Sequence, residues 1–90
     1  MNVQNMTSRN GNKVANQFII FDAEFTAFQS YTSVIVKIVW EDGKRQVYLD
    51  ENNWDYSKTT IKYRNMFLGE TTAETKAKIK SGEYKFDNLN

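Results

Sequence analysis

The sequence predicts a small α+β domain, in which two helices pack on one face of an antiparallel sheet of four or five strands. Three observations favour this class. In residues 32–40, which precede an Asp-Gly turn, every second side chain is a large apolar one, as in a strand. Residues 57–82 contain two segments with helix-capping residues at both ends. In residues 83–87, aromatic and charged side chains alternate, which again indicates a strand. The predicted order of elements is β-β-β-β-α-α-β.

The N-terminal segment is polar and rich in Asn. Residues 1–13 (MNVQNMTSRNGNK) show no apolar periodicity. Their two Met and one Val offer too little apolar surface to fold alone, so we expect a flexible N-terminal arm or a poorly ordered edge. The remaining residues, 14–90, are few enough to form a single α+β domain around one core.

Two short apolar runs predict the first pair of strands. Residues 17–21 (QFIIF) combine β-branched and aromatic side chains between polar neighbours, which is typical of a strand. Asp22 and Ala23 can turn the chain into a second run at 24–28 (EFTAF). This turn has no Gly, so the sequence does not specify a tight two-residue loop there.

The next two strands form the best-specified hairpin of the chain. In TSVIVKIVW (32–40), one face carries four apolar side chains: Val34, Val36, Ile38 and Trp40. Asp42 and Gly43 favour a type I′ turn, which needs positive φ at both central residues. This turn sets the following register: Trp40 opposite Arg45, Ile38 opposite Val47 and Val36 opposite Leu49. A slip of one residue would destroy the agreement between the apolar faces.

Capping residues mark the ends of both helices. Ser57 is a good N-cap for a helix over 57–68, and Gly69 fits the left-handed position just after it. Thr71 and Glu74 have the spacing of a capping box, which predicts a second helix from about 72 to 81 that stops at Gly82. The alternating segment 83–87 then predicts a last short strand.

Arg64 occupies the apolar face of the first helix. With the 3.6-residue period, that face comprises Thr60, Ile61, Arg64, Phe67 and Leu68. A buried guanidinium is costly unless it is paired, which leaves three arrangements open. Arg64 snorkels to the edge of the sheet, it forms an ion pair within the chain, or it lies at an interface with a partner. The candidate carboxylates for the ion pair are Asp50, Glu51 and Asp55.

Two segments carry a resemblance to a known family. Residues 28–34 (FQSYTSV) and 54–69 (WDYSKTTIKYRNMFLG) resemble small, uncharacterised phage-encoded proteins. That family has an aromatic-Ser-Tyr-x-Thr-x-Val stretch and a Trp-x-x-Ser-x-Thr-Thr-x-Lys-aromatic-x-Asn-x-Phe-Leu block. The resemblance covers residues 17–69, and Leu is expected in the family where this chain has Arg64. It implies a phage setting and not an activity.

The composition argues against catalysis. The chain has neither Cys nor His, and so it lacks thiol chemistry, the commonest general base and the commonest transition-metal ligand. The acidic loop DENNWD (50–55) lacks the Gly and the final Glu of a calcium-binding EF-hand loop. The segment Ser57–Thr60 has neither the order nor the glycines of a phosphate-binding motif. We therefore expect no enzyme activity, no metal site and no cofactor.

Neither a membrane span nor a signal peptide is predicted. No apolar run approaches the ~18 residues that suggest a spanning helix. The first residues, MNVQN, do not have the charged and apolar regions of a secretory signal. The sequence therefore predicts an intracellular protein with no membrane partner. The phage resemblance implies that its setting is the cytoplasm of a bacterial host.

The positive charge is concentrated in the two helices. Residues 56–80 carry six Lys or Arg and two Glu, although the whole chain has a net charge of only +1. These basic helices, 57–68 and 72–81, suggest a nucleic-acid-binding regulator as the alternative function. The first helix has no helical partner before it, which argues against a helix-turn-helix.

Aromatic residues favour protein binding as the first hypothesis. The tyrosines and tryptophans of the chain exceed what one small core should need; they are Tyr31, Tyr48, Trp54, Tyr56 and Tyr63. We expect the protein to bind a host protein stoichiometrically. One specific case is inhibition of a nuclease effector of host defence, as anti-CRISPR proteins do. That specific form rests on the phage resemblance. A second copy of the chain is a further expected partner. The expected partner-binding residues are Tyr48, Trp54, Tyr56, Lys58, Lys62, Tyr63 and Asn65.

Overall fold

Six strands form one mixed sheet in a computed structural model that describes residues 1–90. The strands are β1 (Asn2–Thr7), β2 (Lys13–Phe21), β3 (Phe25–Ser30), β4 (Ser33–Glu41), β5 (Lys44–Asp50) and β6 (Tyr84–Asp87). The helices α1 (Lys58–Leu68) and α2 (Thr72–Ser81) lie between β5 and β6 in the chain. The predicted α+β class is confirmed, but the number of strands is six and not four or five.

The additional strand, β1, comes from the segment that we expected to be a flexible arm or a poorly ordered edge. β1 pairs antiparallel with β2, with Asn2 opposite Phe21 and Asn5 opposite Phe18. Met6 is buried in the core. An edge strand forms in this polar segment because it needs only one apolar face, and here Met6 supplies the buried contact while the polar side chains stay in solvent.

The sheet is mixed because the last strand runs parallel to its neighbour. β1 to β5 are antiparallel in chain order, whereas β6 pairs parallel with β5. The two helices carry the chain back along the sheet before β6 begins, and a parallel pair requires such a crossover. The prediction of an antiparallel sheet is therefore corrected at this edge, where β5 and β6 run parallel.

The β4–β5 hairpin has the predicted register. Trp40 pairs with Arg45, Ile38 with Val47 and Val36 with Leu49. Asp42 has φ of 52° and Gly43 has φ of 77°, as a type I′ turn requires. The turn chemistry and the apolar alternation therefore specify the same pairing.

The helix caps also match the predictions. The Ser57 hydroxyl accepts the Thr60 backbone N–H at 3.1 Å, and the capping box of Thr71 and Glu74 is complete. Gly69 and Gly82 end α1 and α2 in the left-handed conformation, with φ of 69° and 85°. These local contacts account for helix ends that fall at the expected residues.

The core lies between the helices and one face of the sheet. Its sheet side consists of Met6, Phe28, Ile35, Val36, Val47 and Leu49, with Tyr84 at the start of β6. The helices add Tyr63, Phe67, Leu68 and Ile79, and the rings of Phe28 and Phe67 stack with centroids 5.9 Å apart. Neither helix is long and apolar enough to span a membrane.

One buried side chain on the helix-facing side of the sheet is polar and unpaired. Gln17 is opposite Ser30 in the β2–β3 register, and the Ser30 hydroxyl contacts that of Thr60 in α1 at 3.0 Å. Gln17 is fully buried, and neither its amide oxygen nor its amide nitrogen has a hydrogen-bond partner. An unpaired buried amide lowers stability, because its hydrogen bonds to water are lost without replacement.

Candidate partner-binding surface

The loop from β5 to α1 is organised around a buried carboxylate. Oδ2 of Asp50 accepts the backbone N–H of Asn53 at 2.9 Å and its side-chain amide at 2.8 Å, while Oδ1 accepts the backbone N–H of Leu89 at 2.9 Å. Burial raises the pKa of Asp50, but these donors stabilise its charged form and leave the pKa below its ordinary value. Asp50 therefore holds the loop and the C-terminal residues together.

Arg64 is held inside the protein by neutral acceptors. Its guanidinium donates to the Trp54 carbonyl oxygen at 2.7 Å and to Asn65 Oδ1 at 3.0 Å. It also lies 5.2 Å from the centroid of the Trp54 ring, in cation–π geometry. Burial lowers the pKa of Arg64, and the charges of Asp55 and Glu70 oppose that effect.

The structure differs from all three expected arrangements of Arg64. Its side chain is 0% exposed, so it neither snorkels to the edge of the sheet nor offers surface to a partner. The expected ion pair with Asp50, Glu51 or Asp55 is also absent, because the one ion pair of the protein joins Lys78 to Glu70. The predicted alternatives were wrong because they left out the Trp54 carbonyl, which the loop brings over the helix.

Four of the expected partner-binding residues do not belong to a common exposed surface. Trp54 packs on Arg64 and lies 5.8 Å from the Phe86 ring, and Tyr63 is buried in the core. Asn65 donates to Thr72 Oγ1 at 3.0 Å and accepts from Arg64. Tyr48 lies on the sheet face opposite the core, where its hydroxyl donates to Glu41 at 2.7 Å. The structure therefore does not bring Tyr48, Trp54, Tyr63 and Asn65 together on one exposed surface.

The other three expected residues are exposed near the start of α1. Tyr56 is 71% exposed, and Lys58 and Lys62 lie one turn apart on the solvent side of the helix. Neither lysine forms an ion pair within the protein. These three residues remain candidates for contact with a partner.

A groove beside α1 brings Tyr56 together with a second exposed tyrosine. The groove, of about 550 Å³, lies between the β3–β4 turn and the start of α1, and we call it the tyrosine groove. Tyr31 and Tyr56 line it, and Tyr31 is 49% exposed. No charged residue lines it, and its hydroxyl groups come from Ser30, Thr32, Ser33, Ser57, Thr59 and Thr60.

Tyr31 lies in the β3–β4 turn, and its backbone is held by residues of both β2 and β3. The Tyr31 backbone N–H donates to the Asn16 carbonyl at 2.6 Å, and the Gln29 side chain donates to the Tyr31 carbonyl at 2.8 Å. Tyr31 has φ of 56°, a left-handed conformation that is uncommon for a residue with a side chain. Sequence analysis counted Tyr31 among the surplus aromatic residues but did not include it in the expected partner-binding set. A tyrosine in a turn without Gly was the signal that could have done so.

A second groove, on the other side of α1, is cationic. It has a volume of about 650 Å³ and lies between the β1–β2 turn and α1, and we call it the basic groove. Its lining residues are Ser8, Arg9, Asn10, Lys62, Tyr63 and Met66. Arg9 and Lys62 come from different elements, and no acidic residue faces them from the groove walls.

A polar cluster joins α2 to β6. The Glu70 carboxylate accepts the Tyr84 hydroxyl at 2.6 Å, the Lys78 ammonium at 2.9 Å and the Thr75 hydroxyl at 2.5 Å. Burial raises the pKa of Glu70, but these donors leave it below its ordinary value. Burial and the bond to Glu70 raise the pKa of Tyr84. Every oxygen of the carboxylate is engaged, so the cluster fastens the helix to the sheet.

Comparison with known proteins places the chain in a family. A family model described as a family of unknown function, DUF8033, matches residues 1–84. The chain belongs to the DUF8033 family. No curated protein and no solved structure gave a match to it.

In this member of DUF8033, the matched residues include both grooves. The match spans β1 and the β1–β2 turn, as well as the β3–β4 turn and all of α1. No group of three or more His, Cys, Asp or Glu side chains is arranged to hold a metal ion. The two grooves that flank α1 are candidate binding sites because each brings side chains of a strand-connecting turn together with side chains of the helix or its cap.

Proposed function

We propose that the protein acts by stoichiometric binding to a partner protein through the tyrosine groove, and not by catalysis. The observation that carries this proposal is an uncharged groove between two exposed tyrosines, Tyr31 and Tyr56. Tyr, Ser and Asn dominate antibody-like binding surfaces, because tyrosine offers a large rigid contact and small polar residues offer adaptable hydrogen bonds. The tyrosine groove combines these residue types.

The walls of the tyrosine groove are already ordered in the free protein. The hydroxyl groups of Ser30 and Thr60 are joined at 3.0 Å across the sheet–helix contact, and the Ser57 cap fixes the start of α1. The turn at Tyr31 is held by two hydrogen bonds: the Tyr31 N–H donates to the Asn16 carbonyl, and the Gln29 side chain donates to the Tyr31 carbonyl. A preformed surface loses little conformational entropy on binding, which favours affinity.

The charge around the tyrosine groove indicates the kind of surface that the partner presents. Lys58 and Lys62 are exposed on α1 and form no ion pair within the protein, and Arg9 lies in the basic groove on the other side of the helix. Acidic groups on the partner, placed around an uncharged contact, would be attracted by these cations. Such complementarity accelerates association and disfavours other partners.

The biological setting of this proposal comes from the sequence resemblance. Residues 28–34 and 54–69 resemble phage-encoded proteins, and they include Tyr31 and Tyr56. We therefore propose a phage accessory protein that acts on a host protein in the bacterial cytoplasm. Inhibition of a host defence nuclease, as by an anti-CRISPR protein, is the specific form that we would test first.

Capture from host lysate, followed by reconstitution, tests the proposal. Wild-type protein should retain a specific host protein, and the two purified proteins should bind in a 1:1 ratio by titration calorimetry. Tyr31→Ala and Tyr56→Ala should each weaken binding at least tenfold, since central aromatic contacts often carry more than about 1.4 kcal/mol. Tyr48→Ala, which removes the same side chain from the opposite face, is the matched control and should bind normally.

The outcomes of that experiment are distinct. Equal capture by the wild type and both groove variants would contradict the role of the tyrosine groove. Loss of capture with Tyr48→Ala alone would move the binding surface to the other face of the sheet. Folding of each variant should be compared by circular dichroism, so that loss of binding is not loss of structure.

The basic groove favours nucleic-acid binding as the second candidate function. Arg9 and Lys62 face it, Lys58 lies one turn away, and Lys76 and Lys80 on α2 are exposed. Short DNA and RNA should then bind with an affinity that falls steeply with salt, and Lys62→Glu should weaken binding more than Lys44→Glu on the distant β4–β5 turn. Absence of binding at low salt would exclude this function.

A further inference from the structure

The two edges of the sheet are protected to different degrees. β6 has only four residues, among them the charged Lys85 and Asp87. β1 at the other edge has six residues, without a charged side chain or a proline. Nothing pairs with the outer side of β1, since it is the terminal strand of the sheet. Natural edge strands are usually short, charged or covered, because an open edge pairs with other strands.

An apolar row spans the first three strands of the sheet, from Ala27 in β3 to Val3 at the open edge. Val3 pairs with Ile20, and Ile20 pairs with Ala27, so the three side chains share one face. It is the face away from the helices, since the neighbouring residues Ile19 and Phe28 pack in the core. Ile20 and Ala27 are buried, whereas Val3 is 53% exposed. No strand lies beyond β1, so the outer side of Val3 has no neighbouring apolar side chain to pack against.

We propose that β1 pairs antiparallel with β1 of a second copy, about a two-fold axis perpendicular to the sheet at Val3. This axis places Val3 directly opposite Val3 of the second copy, and Asn2 opposite Gln4. Such pairing keeps each face of the sheet on its own side, so the apolar rows of the two copies become one. The helices of both copies then lie together on the opposite face.

A second copy fits this edge for reasons of charge and geometry. Self-pairing brings any charge on the edge strand of one copy close to the same charge on the other, so a charged edge would repel itself, and β1 carries no charged side chain. The regular pairing of β1 with β2 covers Asn2 to Asn5 and becomes irregular between Asn5 and Thr7. Pairing centred on Val3 uses this regular part of the strand and avoids the irregular part.

Opposite charges at Val3 provide the test. Sedimentation of wild-type protein, from low micromolar to near-millimolar concentration, should show a monomer–dimer equilibrium. Val3→Lys and Val3→Glu should each be monomeric throughout, because like charges would then face each other across the axis. An equimolar mixture of the two should form the Lys–Glu heterodimer, which native mass spectrometry distinguishes from either homodimer.

Two control variants show whether dimerisation depends on the charge and position of the side chain at residue 3. Val3→Thr retains a β-branched, uncharged side chain and should still dimerise. Trp40→Lys places the same charge on an exposed residue of the distant β4–β5 hairpin and should leave the dimer unchanged. The variants should all fold, because the Val3 side chain lies at the open edge and not in the core. Thermal unfolding of each variant at low concentration checks this.

Three results would overturn the proposal. They are a wild type that stays monomeric at the highest concentration, a dimer that survives in both charged variants, and a mixture that fails to form the heterodimer. If the wild type stayed monomeric, a strand of another protein, and not a second copy, would be the partner for β1. The tyrosine groove lies at the β3–β4 turn, so none of these results bears on the proposed function.

Discussion

The buried polar groups of this protein fall into two regions with different degrees of hydrogen bonding. Asp50 and Glu70 each receive three or more hydrogen bonds, which come from loop backbone, neighbouring side chains and β6. Under α1, Gln17 has no partner for its amide and Arg64 has none for Nε. Loops can adapt to bring donors to a carboxylate, whereas a regular strand and helix fix where Gln17 and Arg64 lie. Removal of a hydrogen-bonded carboxylate should therefore lower stability, whereas removal of the unpaired Gln17 amide should raise it.

Acidification should give the largest effect. The pKa values of Asp50 and Glu70 are lowered in the folded state, so their contribution to stability is present above the ordinary carboxyl pKa, about 4. As pH falls from there through the lowered pKa values, both groups must be protonated and the contribution is lost. The thermal unfolding midpoint should decline steeply below about pH 4.

The double variant Asp50→Asn, Glu70→Gln serves as the control for this pH dependence. It should be less stable at neutral pH, and its stability should change less between pH 5 and pH 2. A wild type and a double variant with the same dependence would mean that other carboxylates determine the acid response.

Asp50→Ala should give the next largest effect. It leaves the backbone N–H groups of Asn53 and Leu89 without their acceptor, and the free energy of unfolding should fall by about 3 kcal/mol. Urea denaturation measures this change. Glu51→Ala, at the exposed neighbouring position, should change stability by less than about 0.5 kcal/mol. Similar losses in both variants would show that the loop, and not the carboxylate, is sensitive.

Substitution of Arg64 should have a smaller effect, which depends on the volume of the new side chain. Arg64→Ala leaves a cavity and frees the Trp54 carbonyl, and should cost about 2 kcal/mol. Arg64→Met fills the space without a buried charge and should lie within about 1 kcal/mol of the wild type. Urea denaturation compares the two variants. If Arg64→Met were as damaging as Arg64→Ala, the charge itself would be needed.

Gln17→Met should have the smallest effect and the opposite sign. The substitution removes an amide that has no partner while roughly preserving its volume, so stability should rise by about 1 kcal/mol. The matched substitution Gln46→Met, at a glutamine that donates to the Val47 and Glu83 carbonyls, should lower stability. A loss of stability in Gln17→Met would reveal a partner for this amide, such as a buried water.

Local chemistry accounts for the parts of the fold that could be predicted from the sequence. The Asp42-Gly43 turn and the Ser57 and Thr71 caps depend on neighbours within a few residues, and each lies where it was expected. β1 could not be predicted, because a polar strand becomes a strand only when β2 pairs with it. The direction of β6 likewise depends on how the helices cross the sheet.

The part of the candidate surface that could be predicted also depends on local sequence, namely on the helical period of α1. The helical period placed Lys58 and Lys62 on the solvent side of α1 and Arg64 on the inner side, and the structure agrees. The number of aromatic residues did not indicate that Trp54 serves as the platform for Arg64. That contact joins a loop to a helix across ten residues and depends on the tertiary fold.

The order of the strands bears on how the chain folds. From β1 to β5, each strand lies beside the one that precedes it in the chain, so these pairs need only short turns to meet. β6 can join only after both helices have returned the chain to β5, and closure of that long segment is entropically costly. The meander can therefore assemble first, with β6 and its Tyr84–Glu70 bond docking last as the step that completes the native state.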